Sequence, residues 1–222
     1  DWREGGEGQV NAGAPGISSY AALDAIITAL ADRSRFPALT HVVITGHSAG
    51  GQVVQRYAAG ARATPTGLTL RYAPANPSSF MVLTAHRYVD GAFRSTGTAF
   101  SACPSYNDYK YGLAARASMP YMAAPSATQL TSQYLARSVT YLQGTSDTCN
   151  SNLAACNDHS LDKTCEAMLQ GAYRYERGQR FFAHLNAFFP GHAHVFQNVA
   201  GVGHDGRAMF NSPEARAVLF KY

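Results

Sequence analysis

Apolar positions along the chain fall into alternating strand-like and helix-like patterns. Leu23, Ile26, Ile27 and Leu30 recur at helical spacing behind Ser18 and Ser19, either of which can cap a helix, and Phe36-Pro37 closes the stretch. Residues 40–45 form a short apolar run without alternation, the pattern of a parallel strand buried on both faces. A second helix pattern begins directly after Ser48, with Val53, Val54 and Tyr57 on its inner face. Residues 68–72 read as a strand stopped by Ala73-Pro74, and 138–143 (SVTYLQ) and 194–199 read as two more. Met168, Ala172, Tyr175, Phe182, Leu185 and Phe189 predict one helix or a broken pair. Ser212, Pro213 and Glu214 predict a helix start: a capping hydroxyl, proline at the first position and an acid near the positive end of the dipole.

The Gly-rich opening to about Ile17 reads as loop. Between residues 74 and 136 the periodicity fades into Pro, Ser, Gly and Tyr, which predicts short helices in a lid or binding insertion. Strand and helix alternate elsewhere, so the expected fold class is α/β: a mostly parallel sheet flanked by helices, one domain over residues 1–222.

One junction carries chemistry. The strand at 40–45 runs into Gly46, His47, Ser48, Ala49 and Gly50, and a helix follows at once. A strand that turns so sharply into a helix holds the turning residue in a strained conformation, and flanking glycines let strand and helix approach. That is the mechanical content of the G-x-S-x-G nucleophile elbow. It makes Ser48 the candidate nucleophile and the Ala49 N–H one candidate oxyanion donor. The bland alternative is a tight Gly/Ser turn that only packs.

A serine nucleophile needs a base and an orienting acid, which follow it in the order acid, then histidine. His204 lies in AGVGHDG after the last predicted strand, at the same sheet edge as Ser48. His192 and His194 precede that strand and belong at the opposite edge. Asp147 follows the preceding strand and is the candidate acid, with Asp158, Asp162 and Asp205 as rivals. His47 and Asn76 are candidate substrate contacts.

Composition narrows the class. Hydrophobic residues make up 46% of the 222 residues and support a sizeable core, while charged residues make up only 14%, against about 25% in average globular chains. The net charge of +4 comes from scattered arginines with no basic block, which argues against nucleic-acid binding. No apolar run approaches the ~18 residues of a membrane span. Cys103, Cys149, Cys156 and Cys165 read first as disulfides, hence a secreted or periplasmic protein. Sequence leaves all three pairings open; Cys149–Cys165 with Cys103–Cys156 is the working expectation. Cys149, Cys156, His159 and Cys165 also offer a zinc reading, weakened by irregular spacing and the lack of paired C-x-x-C knuckles.

The segments ITGHSAGGQVVQRYA, YAPANPSSF, CPSYNDYKYGL, VTYLQGTSDT, LDKTCEAMLQGAYRYERG and VAGVGHDGRAMFNS resemble the C-terminal two-thirds of an α/β-hydrolase. They are most similar to a secreted-type serine esterase or lipase-like group of poorly defined substrates. The resemblance implies a carboxylic-ester hydrolase acting on a small-molecule ester, with Ser48, Asp147 and His204 as triad and no metal or organic cofactor. Such folds carry about eight strands with the elbow after the fifth, whereas four are legible here, all at or after the elbow. A further segment of about 80–120 residues, half a typical domain, is therefore expected to complete the sheet, attached or as a companion chain. It would also bring the second oxyanion N–H. Two other classes stay open: a binding or assembly protein on a hydrolase scaffold, and amidase, peptidase or lyase chemistry from the same triad. Tyr106, Tyr109, Tyr111, Tyr121, Met119 and Met122 read either as an acyl pocket or, more simply, as core of the insertion.

Overall fold

A computed structural model describes residues 1–9, 16–149 and 161–221. A 3-10 turn, Trp2–Glu4, precedes α1 (Ser19–Leu30), which Ser18 caps through the Tyr20 N–H. Strand β1 (His41–His47) leads into α2 (Ala49–Gly60), and β2 (Thr69–Ala75) follows. Residues 74–136, the stretch expected to be an insertion, hold a hairpin, β3 (Arg87–Val89) and β4 (Ala92–Arg94), then α3 (Thr98–Ser101), α4 (Pro120–Ala123) and α5 (Ala127–Leu135). Strand β5 (Ser138–Gly144), α6 (Cys165–Met168), α7 (Arg174–Phe188), β6 (Val195–Val199), α8 (Gly206–Asn211) and α9 (Pro213–Phe220) complete the described chain.

The main sheet runs β1-β2-β5-β6, every neighbouring pair parallel. Period-2 alternation sends Tyr72, Val139 and Tyr141 into one core with α2 and the insertion, and Ala73, Ala75, Leu142 and Val199 into another with α8 and α9. Helices thus cover both faces, as the α/β reading expects. Among the described residues no helix is long and apolar enough to cross a membrane.

Several expectations are corrected. Strand β1 is not buried on both faces: none of its residues is fully buried, because among the described residues it pairs only with β2. Strand β2 does not stop at Ala73-Pro74 but continues to Ala75, and its pairs with β5 run through Arg71, Tyr72 and Ala75. A proline, lacking an N–H, is tolerated where a ladder bond is skipped. The helix pattern of 168–189 is a broken pair, with Gly171 at φ 145° in the break. The insertion packs into the main core through Phe80, Met81, Tyr121, Met122, Leu130 and Tyr134; Tyr111 is also buried.

The cysteine pairing differs from expectation. Cys103 joins Cys165 across a separation of 62 residues, which on the chain-entropy view stabilises by about 4 kcal/mol. Cys149 is also disulfide-bonded, while Cys156, Asp158 and His159 lie outside the described residues. With Cys165 in a disulfide, the zinc set loses a thiolate it requires.

Buried polar groups organise the core as much as apolar ones. Tyr141 Oη lies 2.8 Å from His194 Nδ1, and His194 Nε2 lies 2.9 Å from the Tyr134 carbonyl. That carbonyl only accepts, so Nε2 carries the proton and Nδ1 accepts from the tyrosine. Burial drives the His194 pKa down to about 4 and that of His184 to about 3. An unfolded histidine titrates near 6.5, so the unfolded state binds more protons between these values. Stability is expected to be full above about pH 6.5 and to fall as pH drops toward 4. Urea midpoints at pH 7, 5.5 and 4.5 should decline in that order, and less steeply in His194→Gln; a flat midpoint across this window would contradict the assignment.

Candidate active site

The elbow is built as the sequence suggests, with one change in which glycines matter. Ser48 sits at φ 57° and ψ −114°, a conformation that L-residues rarely adopt. Its N–H donates to the Ala75 carbonyl at 2.9 Å, anchoring the turn to β2. A Cβ on Gly46 would stand 2.6 Å from the carbonyl carbon of Gly50, and one on Gly51 would stand 2.5 Å from the Ala75 oxygen. A Cβ on Gly50 meets nothing within 4 Å. The close approach therefore depends on Gly46 and Gly51, a role for Gly51 that sequence reading missed.

Ser48 stands at the N-cap of α2 without capping it through its side chain. Its Oγ lies instead 2.9 Å from His204 Nε2, and His204 Nδ1 lies 2.7 Å from Asp147 Oδ2. The three residues come from the C-terminal ends of β1, β5 and β6, which the parallel order brings to one edge. An ionised carboxylate only accepts, so Nδ1–H donates to Asp147 and Nε2 is left to accept from the serine hydroxyl. The first intrahelical bond runs from Gln52 N–H to the Ser48 carbonyl. The Ala49 N–H therefore has no acceptor within the helix and heads its positive end.

Cross-bonds between the loops set this geometry. Ser146 N–H donates to the Val202 carbonyl, Thr145 N–H to that of Val199, and Gly201 N–H to Thr145 Oγ1. A Cβ at Gly144 would lie 2.3 Å from the Val202 oxygen, so only glycine lets the two loops close. Asn76, expected as a substrate contact, is fully buried. Its amide accepts from Gly144 N–H at 2.8 Å and donates to the Gly203 carbonyl at 3.2 Å, one residue before His204. It braces the histidine loop rather than facing solvent. His47 packs its ring 4.5 Å from that of His204. Burial, then repulsion from His204, pushes its pKa down to about 4.

The rival acids are engaged elsewhere. Asp162 accepts from Tyr111 Oη at 2.9 Å, and Asp205 caps α8 through the N–H groups of Arg207 and Ala208. Asp147 is fully buried, and the guanidinium of Arg174, equally buried, stands 3.8 Å from its Oδ1. Sequence reading passed over Arg174 because it sought apolar residues on α7; Arg174, Arg177, Phe181, His184 and Leu185 share the inward face, at spacings that a helical wheel would have grouped.

The parallel sheet, its helices on both faces and the serine elbow define the α/β-hydrolase fold. Solved structures share it: poly(aspartic acid) hydrolase-1 from Sphingomonas sp. KT-1 at TM-score 0.60 and 24% identity, over 87% of this chain and 60% of that one, and LpqC, a poly(3-hydroxybutyrate) depolymerase from Bordetella parapertussis, at TM-score 0.55 and 23% identity, over 86% and 53%. This chain thus spans less than two thirds of the length of either. No protein-family model and no curated protein matches it.

Proposed function

We propose that this protein is a serine hydrolase that cleaves a carboxylic ester through an acyl-enzyme on Ser48. The observation that carries the reading is the continuous relay from Ser48 Oγ to His204 Nε2 and from His204 Nδ1 to Asp147, at 2.9 Å and 2.7 Å. His204 takes the serine proton as Oγ attacks the substrate carbonyl. The Ala49 N–H receives the developing oxyanion. His204 then gives its proton to the departing alkoxide, and water repeats the sequence on the acyl-enzyme. Asp147 keeps the imidazole in the tautomer that attack needs and stabilises the imidazolium. Arg174, buried behind it, places its guanidinium 3.8 Å from Asp147 Oδ1, on the side away from His204's partner oxygen Oδ2.

The preference for an ester over an amide comes from the family resemblance, since the triad serves both. The solved structures named above are of a poly(aspartic acid) hydrolase and a poly(3-hydroxybutyrate) depolymerase, so polymeric substrates belong in the assay beside small esters. The test is incubation with a fluorophosphonate probe, then turnover of p-nitrophenyl esters of graded chain length and of matching anilides. Labelling on Ser48 with ester turnover is expected; an unlabelled folded protein would leave the binding or assembly reading instead. The disulfide between Cys103 and Cys165 supports a secreted or periplasmic location.

A second oxyanion donor belongs to the same proposal. Strand β1 pairs on one side only among the described residues and leaves Val42, Val43 and Ile44 partly buried, which is an edge prone to further pairing. A parallel strand from additional polypeptide would cover that edge and bring a donor N–H toward Ser48. Loss of one donor costs about 10²–10³ in rate. The 222-residue chain alone is expected to self-associate or turn over slowly; a soluble monomer whose turnover does not rise when the additional polypeptide is present would count against this part.

A further inference from the structure

Between the β3–β4 hairpin and α7 lies a cavity of about 20 Å³, partly open to solvent and lined by Arg87, Arg177, Arg180, His86, His184 and Phe93 among others. That is room for one water-sized body. The lining is cationic to an unusual degree. Arg87 and Arg177 are 2% and 0% exposed. Among the described residues neither has a carboxylate within ion-pair distance. Arg87 spends its terminal nitrogens on the carbonyls of Thr84, His86, Tyr106 and Tyr111. Arg177 donates to the carbonyls of Gly171 and Ser78 and contacts Met168 Sδ. Carbonyl dipoles satisfy N–H groups without cancelling the net charge. Two carboxylates act on Arg177 from beyond ion-pair distance, and both are engaged by other donors: Asp162 accepts from Tyr111 Oη and Thr164 Oγ1, and Glu176 accepts from Arg180 at 2.6 Å and from the Ala172 N–H.

Two buried groups at this cavity also lack hydrogen-bond partners among the described residues: Nε of Arg87, and both ring nitrogens of His184, which is 1% exposed. A buried N–H without an acceptor costs about 1–3 kcal/mol, and native structures rarely leave one so. Phe93 meets His184 edge to face at 5.8 Å and Phe188 meets it at 4.7 Å, so aromatic residues pack around the imidazole. Burial pushes the pKa of Arg87 and of Arg177 down to about 10, because their charge is removed from water.

We propose that this cavity is a binding site for a single small anion of halide size, chloride in the first instance, which takes the Arg87 Nε–H and a His184 ring N–H and offsets the buried guanidinium charge. The site uses none of the elbow, Asp147 or His204, so it stands or falls apart from the hydrolase reading. An anion there joins the hairpin to α7 and stabilises the folded state without entering the reaction.

The experiment is thermal unfolding of the full chain in sodium chloride, sodium bromide and sodium methanesulfonate at matched ionic strength. Chloride and bromide are expected to raise Tm saturably by roughly 3–8 °C above methanesulfonate. His184→Phe should lose that difference, and His184→Gln, which keeps an N–H donor, should retain it. Crystals soaked in bromide should give an anomalous peak between Arg87 and His184. Equal Tm in all three salts at every ionic strength overturns the proposal, as does a chloride effect that survives in His184→Phe. Fluorophosphonate labelling of Ser48 tests the other reading separately and is expected to be the same in all three salts.

Discussion

Ser48→Ala is expected to lower turnover about 10⁶-fold while leaving the fold and thermal stability near those of the parent. The magnitude follows from the unit character of a relay: without the hydroxyl there is nothing for His204 to deprotonate, so the whole covalent route is lost and only binding and the oxyanion N–H remain. Structural change should be small because the Ser48 side chain does not cap α2 and its hydrogen bond goes to His204. Alanine is no worse than serine at φ 57°, since both carry a single Cβ. Steady-state kinetics on the best ester, with circular dichroism as the folding control, gives the comparison. A second, mechanistic readout comes from Ser48→Ala combined with His204→Ala, which should cost little more than either change alone. Turnover within tenfold of the parent in folded Ser48→Ala would falsify the covalent mechanism.

The second large effect separates two glycines of one motif. In Gly46→Ala, the added carbon arrives 2.6 Å from the Gly50 backbone carbon and 2.7 Å from its oxygen. No flexible side chain can yield there, so α2 must move away from β1. Overpacking of this kind costs about 1–3 kcal/mol. A displacement of 1 Å at the reacting groups costs about 10²-fold in rate, so turnover should fall at least that far. Gly50→Ala should spare both stability and turnover, because its added carbon meets nothing within 4 Å and, in the first turn of α2, alanine is favoured over glycine by no more than the ~1 kcal/mol of a helix interior. Parallel urea melts and kinetics on both variants make the check. Equal losses in the two would mean that the elbow's glycines act through helix propensity and not through strand–helix contact.

Much of the architecture was legible because it rests on local pattern. An apolar run without alternation, a Gly-x-Ser-x-Gly turn and a helix pattern behind it locate the elbow from neighbouring residues alone. Chain order then placed an acid after the third main strand and a histidine after the fourth, and the cross-bonded loops bring Asp147 and His204 together. The last helix was equally readable, since Ser212 accepts from Ala215 N–H as a capping hydroxyl should.

What lay beyond reach depends on partners far away in the chain. Hydrophobicity marked Tyr175 and Phe182 as the inner face of α7, yet Arg174, Arg177 and His184 turn inward. For Arg174 and Arg177 the inward choice follows from the Asp147 carboxylate after β5 and the carbonyls of Ser78 and Gly171, while His184 turns in among the rings of Phe93, Phe181 and Phe188; no local pattern encodes either. Asn76 looked like a residue for substrate because it follows a strand end; it is buried because Gly144 and Gly203 present an N–H and a carbonyl to it at once. The Cys103–Cys165 pairing joins residues 62 apart, and loop-closure entropy changes too slowly with length to choose among pairings. Period and turn chemistry are properties of short segments and can be read in one dimension. Burial, pairing and charge compensation are properties of neighbours in space, and only folding assigns those.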